Sequence, residues 1–166
     1  NMAMNWKIPV IFIIENNKYG MGTSVERASA SRDLSQNGAA WGIPGEQVNG
    51  MDVASVREAG ERAVAHCRAG KGPYLLEMKT YRYRGHSMSD PAKYRTREEV
   101  QKMRETSDCI ETARKALLDD FGVTEADLKV IDDEVKAIVQ DSADFAQESP
   151  EPPESELMTD ILVEVG

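Results

Sequence analysis

Pro9-Val-Ile-Phe-Ile-Ile-Glu-Asn-Asn-Lys-Tyr-Gly-Met-Gly-Thr-Ser24 is the stretch on which the fold turns. Val10 to Ile14 are apolar and mostly β-branched. An unbroken apolar run of this length, rather than an alternation, is the pattern of a parallel strand covered on both faces. The run stops abruptly at two carboxamides and a loop bounded by Gly20 and Gly22. In open parallel sheets, ligands sit outside the carboxyl ends of the strands. Asn16, Asn17 and the loop carbonyls are hard, uncharged oxygen donors at such an end. They suit a Mg²⁺ whose remaining ligands are diphosphate oxygens and a carboxylate. The same Asn pair also fits a plain turn, because Asn tolerates left-handed backbone and bonds locally.

Outward from this strand, residues 16 to 44 form a long polar connection, and structureless loops of that length are generally functional or partly disordered. Glu46 to Gly50 predict a short strand and turn, with Asp52 as the N-cap of a helix. Val53, Val56, Ala59, Ala63, Val64 and Cys67 recur at helical spacing until Gly70 and Gly72 end the pattern. Pro73 to Tyr81 is the next strand. Strand, strand, helix, strand predicts a parallel α/β arrangement with right-handed crossovers. Residues 82 to 97 are basic and polar, with Arg82, Arg84, Lys93, Arg95 and Arg97 around Gly85-His-Ser-Met-Ser-Asp-Pro91. Thr96 and Glu99 have the spacing of a capping box. Two further helices are expected, Asp108 to Phe121 and Thr124 to about Gln147, the second carrying Leu128, Ile131, Val135 and Ile138 on one face. Pro150 to Glu154 is an acidic linker, and Leu157 to Val165 an apolar tail expected to dock on a neighbour. The organisation expected is thus an α/β part over residues 1–95, a helical extension over 96–149, and a linker with tail over 150–166. Asn1 to Trp6 has the character of a helix's last turn, so the chain is expected to be the carboxyl half of a longer domain.

A formal net charge of −9 over 166 residues argues against nonspecific nucleic-acid binding. No apolar run approaches the roughly 18 to 20 residues of a membrane span. Cys67 and Cys109 stand apart, without disulfide or metal-ligand spacing, which fits a reducing compartment.

Of the two histidines, His66 falls within a helical pattern and is structural. His86 lies in a loop between Gly85 and Ser87, where an imidazole titrating near neutrality is able to donate to a phosphate or shuttle a proton. Adjacent residues rarely point at each other, and no nucleophile-elbow motif accompanies His86 and Ser87, so serine hydrolase chemistry is not expected.

Taken together, Glu15-Asn-Asn-Lys-Tyr-Gly-Met-Gly-Thr-Ser-Val-Glu-Arg27, Tyr81-Arg-Tyr-Arg-Gly-His-Ser-Met-Ser-Asp-Pro91 and Tyr94-Arg-Thr-Arg-Glu-Glu99 resemble the alpha subunits of the thiamin-diphosphate-dependent first component of pyruvate dehydrogenase complexes. The resemblance spans essentially the whole chain, including Gly50-Met-Asp52 and Gly70-Lys-Gly-Pro73. It implies the carboxyl half of a thiamin-diphosphate-binding parallel-sheet domain with a helical extension, inactive on its own. Asn17 would ligate Mg²⁺ through its side-chain oxygen, and Tyr19 through its carbonyl. His86 would contact the cofactor diphosphate region and assist acyl transfer to lipoamide. Ser87 and Ser24 match a main and a secondary phosphorylation site. Implied partners are a beta subunit in an α2β2 heterotetramer, the lipoyl-bearing acyltransferase and pyruvate; implied compartments are bacterial cytoplasm or mitochondrial matrix. The sequence departs from the family pattern twice. The Gly-Asp-Gly that opens the cofactor motif, with its Mg²⁺-binding Asp, is absent. Ala92-Lys93 also stands where a further regulatory serine is expected, in a loop one residue shorter, which puts multi-site control in doubt. Branched-chain 2-oxo acid and acetoin dehydrogenase alpha subunits are the nearest alternatives, with Met88 to Pro91 and Tyr19 to Met21 favouring pyruvate. A noncatalytic acidic module built on the later helices would explain the charge but not the Asn-Asn loop.

Overall fold

The structure, a computed structural model, describes residues 1–161. Its first compact unit is Asn1–Leu117 and its second Leu118–Gly166, with the boundary inside a helix.

In the first unit a short helix α1 (Met2–Asn5) leads into β1 (Ile11–Asn16). A two-stranded hairpin follows, β2 (Tyr19–Gly20) against β3 (Thr23–Ser24), then α2 (Val25–Ala28) and a 3₁₀ segment over Leu34–Trp41. Next come β4 (Gly45–Asn49), α3 (Val53–Arg68), β5 (Tyr74–Lys79), α4 (Arg97–Ser107) and α5 (Cys109–Asp120). The main sheet is parallel throughout, in the order β1-β5-β4. The chain is therefore α/β, and β5 is central. Register pairs Asn16 with Lys79 on one side of β5 and Asn49 with Lys79 on the other, so all three strands end at one edge.

α3 begins where the Asp52 carboxylate accepts from the Ala54 and Ser55 N–H groups at 2.9 and 3.3 Å, relieving donors the helix itself leaves unpaired. Its Ala59 and Ala63 face the sheet and meet Val48, Leu76 and Met78, with Ile11, Val56 and Tyr74 at the margin. Small residues on the helix bring it close to the bulky ones on the strands. A leucine buried as Leu76 is typically stabilises by about 2–5 kcal/mol over alanine.

Two expectations change. β1 pairs on one side only, and Phe12 and Ile13 are exposed, so within the described residues its apolar run is not covered on both faces. The 16–44 connection is structured rather than open loop. Its 3₁₀ segment packs on the sheet because Gly45 has no side chain; a Cβ there would lie 2.1 Å from the Ser35 carbonyl oxygen.

In the second unit α6 (Glu125–Glu148) starts at a full capping box, in which Thr124 Oγ1 accepts from Asp127 N–H and the Asp127 carboxylate accepts from Thr124 N–H. Ile131, Val135 and Ile138 are exposed. A 3₁₀ turn follows at Glu154–Met158. The expected tail begins there, and its residues 162–165 lie outside the described region. Among the described residues no helix is long and apolar enough to cross a membrane.

Candidate functional site

The turn after β1 is built by its own amides. Asn16 Oδ1 accepts from Lys18 N–H at 3.0 Å, and this closure sets Lys18 at φ 72, a conformation that costs a non-glycine residue and persists only where it is held. Beyond it the hairpin pairs Tyr19 with Ser24. The Asn17 carboxamide is satisfied within the protein: its nitrogen donates to the Tyr19 carbonyl at 2.8 Å and its oxygen accepts from an Arg82 NH2 at 3.1 Å. To present its oxygen beside the Tyr19 carbonyl the amide would have to turn over and release Arg82, which would set the two oxygens 2.8 Å apart. Adjacent ligands on an octahedral Mg²⁺ with 2.0–2.1 Å bonds are about 2.9 Å apart. A turned-over Asn17 amide would therefore suit that ion together with the Tyr19 carbonyl, and among the described residues no three His, Cys, Asp or Glu side chains cluster to hold a metal.

Residues 82–95 form the second wall. Arg95, only 9% exposed, donates one NH to the Arg82 carbonyl and another to the Arg84 carbonyl at 3.1 Å. Its guanidinium lies 5.3 Å from the ring centres of Tyr81 and Tyr94 and 5.6 Å from that of Tyr19. Planar, delocalised charge suits such a cage of aromatic faces. Burial, opposed by Arg95, raises the Tyr19 and Tyr81 phenols above their ordinary value, with Glu99 adding to the rise in both. These rings therefore stay neutral hydrogen-bonding groups at physiological pH. Tyr19 and Tyr94 also stack at 5.2 Å, which joins the β1 turn to the basic loop.

His86 is held by Asp90. The Asp90 Oδ2 accepts from His86 N–H at 3.1 Å and from the Tyr94 hydroxyl at 2.8 Å, and lies 2.9 Å from His86 Nδ1; Oδ1 accepts from Ala92 N–H at 2.8 Å. These donors, Ala92 N–H foremost and then the Tyr94 hydroxyl, hold the Asp90 carboxyl well below the usual carboxylate range. An ionised carboxylate only accepts, so in the neutral imidazole Nδ1 carries the proton toward Asp90 and Nε2 is the acceptor nitrogen. Gly85 makes this possible: a Cβ there would lie 2.8 Å from the Asp90 side chain and carbonyl.

One connected network thus runs from Asn17 and Tyr19 through Tyr94 and Asp90 to His86. Ser24 joins it by backbone pairing with Tyr19. Ser87 sits exposed at the tip of the loop, its Oγ 3.0 Å from Ser89 Oγ. Sequence reading missed Asp90, Tyr94 and Arg95 as the residues that organise the site. It also gave Asn16 as a possible ligand, whereas both ends of that carboxamide are used within the protein, the nitrogen donating to Glu77 Oε1 at 2.7 Å. The Tyr83 hydroxyl, buried without a hydrogen-bonding partner of good geometry among the described residues, has its pKa pushed up to about 12, by burial first and by Asp108 next. His66 stacks edge-on against Tyr74 at 5.2 Å, in keeping with a structural role.

Residues 1–155 match the family model for the dehydrogenase E1 component. The chain is 64% identical over 163 residues to a protein of Rhizobium meliloti (strain 1021) named pyruvate dehydrogenase E1 component subunit alpha, covering 98% of the chain and 47% of that protein. A Zymomonas mobilis protein of the same name is 55% identical over 163 residues, 98% of the chain and 46% of the relative. The human mitochondrial somatic form is 54% identical over 158 residues, 95% of the chain and 40% of the relative. The chain spans less than half the length of these relatives. On the extent of the family match and the identity of its relatives, this chain belongs to the dehydrogenase E1 component family.

Proposed function

We propose that this chain carries the Mg²⁺ and diphosphate grip of a thiamin-diphosphate-dependent pyruvate dehydrogenase alpha subunit. The observation that carries the reading is the turn at the carboxyl end of β1, which brings two neutral oxygen donors, Asn17 and the Tyr19 carbonyl, together beside Arg82. Bound there, Mg²⁺ would clamp the cofactor diphosphate while the cofactor supplied an electron sink for decarboxylation of pyruvate. Arg82, beside Asn17, adds positive charge for the diphosphate. His86 Nε2, oriented by Asp90, donates to a phosphate oxygen when protonated and holds a proton for the sulfur of a lipoyl group during acetyl transfer. Each role belongs to an assembly with a beta subunit and a lipoyl-bearing acyltransferase, in bacterial cytoplasm or mitochondrial matrix. Ser87, exposed beside His86, is read as a phosphorylation site, with Ser24 secondary. Residues 1–95 serve as the cofactor-binding part and 96–149 as a helical extension.

The test is Asn17→Ala in the full-length alpha subunit assembled with its partner, followed by titration of thiamin diphosphate at graded Mg²⁺. Loss of one oxygen ligand should weaken Mg²⁺-dependent binding by roughly tenfold or more, at least as much as losing a residue that only orients a ligand. Unchanged binding and turnover would refute the metal assignment and leave a noncatalytic module as the better reading.

A further inference from the structure

We infer that Glu77 is a positioning residue for the Asn17–Tyr19 turn, acting through the Asn16 carboxamide; this rests on the reading of that turn as the Mg²⁺ and diphosphate grip. Glu77 is fully buried on the central strand β5. A carboxylate out of water is costly unless its oxygens are fully hydrogen-bonded, and no cation pairs with this one among the described residues. Three neutral donors converge on it instead. Asn16 Nδ2 reaches Oε1 at 2.7 Å, while Ser35 N–H and Gln47 Nε2 reach Oε2 at 3.0 and 2.9 Å. They come from β1, the 3₁₀ segment and β4, so one side chain ties together the elements around β5 just below the turn.

The direction of these bonds gives Glu77 more than a bracing role. Asn16 is committed at both ends, its nitrogen to an atom that only accepts and its oxygen to Lys18 N–H, which only donates. The polarity of that amide is therefore dictated by Glu77. A glutamine at this position has a single oxygen, which the two donors at the Oε2 site would claim. Its NH2 would then face the Asn16 NH2. Relief requires the Asn16 amide to turn over, which aims its nitrogen at Lys18 N–H and opens the turn that presents Asn17 and Tyr19. A carboxylate is the side chain that satisfies all three donors and leaves the turn closed.

The test uses the full-length alpha subunit assembled with its partner, measuring the Mg²⁺ concentration that half-saturates thiamin diphosphate binding, with cofactor-free melting in parallel. Glu77→Gln and Asn16→Ala should each raise that concentration by roughly tenfold, about the effect of one hydrogen bond, and the double variant should go no further than either. Gln47→Ala removes a donor from the other oxygen; it should lower the melting temperature yet leave the Mg²⁺ requirement within about twofold. Additive effects in the double variant, or equal shifts from Gln47→Ala, would overturn the inference in favour of a general brace. Where Glu77→Gln does not fold, Asn16→Ala against Gln47→Ala still decides, and no shift for Asn16→Ala overturns it. Asn17→Ala, run alongside, separates the two levels. If it too leaves the Mg²⁺ requirement unmoved, the metal reading has failed; if it shifts while Glu77→Gln and Asn16→Ala do not, only the positioning role has.

Discussion

Arg95→Lys keeps the charge beside Tyr19, Tyr81 and Tyr94 but removes the planar fork, and the structure predicts what that does to the loop. Arg95 reaches two backbone carbonyls at once, those of Arg82 and Arg84, from a nearly buried position. Hydrogen bonds from a charged donor contribute about 1.5–3 kcal/mol each. A lysine ammonium on a shorter reach holds at most one of the two, while much of its attraction to the rings remains. Because the released carbonyl is rehydrated when the loop opens, the net loss is close to one such bond, about 2–3 kcal/mol. Local opening should then rise roughly 30- to 150-fold, at 1.4 kcal/mol per factor of ten. Trypsin reports it directly, since Arg82, Arg84 and Lys93 are all in the segment. When opening is fast relative to cleavage, the cutting rate follows the open population. Cleavage at these three sites should accelerate by that factor while the far-ultraviolet spectrum stays unchanged. Cleavage within about twofold of the parent would show that Arg95 does not hold the loop, because such a change is well under one hydrogen bond.

Two further outcomes follow from Asp90. Its folded-state carboxyl lies well below the ordinary range, so the stability it contributes is fully present above the unfolded value near 3.9 and is lost only as pH falls through the depressed one. The carbon resonance of its carboxyl group should stay flat from about pH 7 to about pH 4; a midpoint at or above about 4 contradicts the hydrogen-bond set described. Gly85→Ala should push Asp90 away from His86, since the new methyl would lie 2.8 Å from the Asp90 carbonyl oxygen and carboxylate. Faster tryptic cleavage after Arg84 and Lys93, with an altered His86 ring resonance, is the expected result, and an unchanged resonance would count against the contact.

The parts of this molecule visible in its sequence are those governed by neighbours along the chain. Asp52 capping α3, the helical spacing from Val53 to Cys67 and the apolar run ending at Asn16 each depend on residues a few positions apart. Glu77 was invisible as a junction because its donors stand 61, 42 and 30 positions away, and inside Leu75-Leu76-Glu77-Met78 it looks like one polar residue on a strand. Arg95 was hidden for a similar reason, among several cations of equal apparent weight. Thr96 and Glu99 show a local rule overridden. Thr96 Oγ1 does accept from Glu99 N–H at 3.1 Å, but the Glu99 carboxylate accepts from the Tyr81 hydroxyl at 2.8 Å instead of reaching back to close the box. The exposed face of β1 reflects sheet order, which no single strand encodes.

The anchoring of the basic loop has a consequence for how this segment tolerates change. Its base is fastened at Arg82 and Arg84 by Arg95, and its interior at His86, Ala92 and Tyr94 by Asp90. Ser87, Met88 and Ser89 project beyond these fastenings into solvent. The backbone turns left-handed at Ala92, with φ 51, immediately inside the last fastening. Side-chain changes at the projecting residues leave these fastenings in place, so a bulky or charged group added at Ser87 stands directly beside an imidazole whose position is fixed.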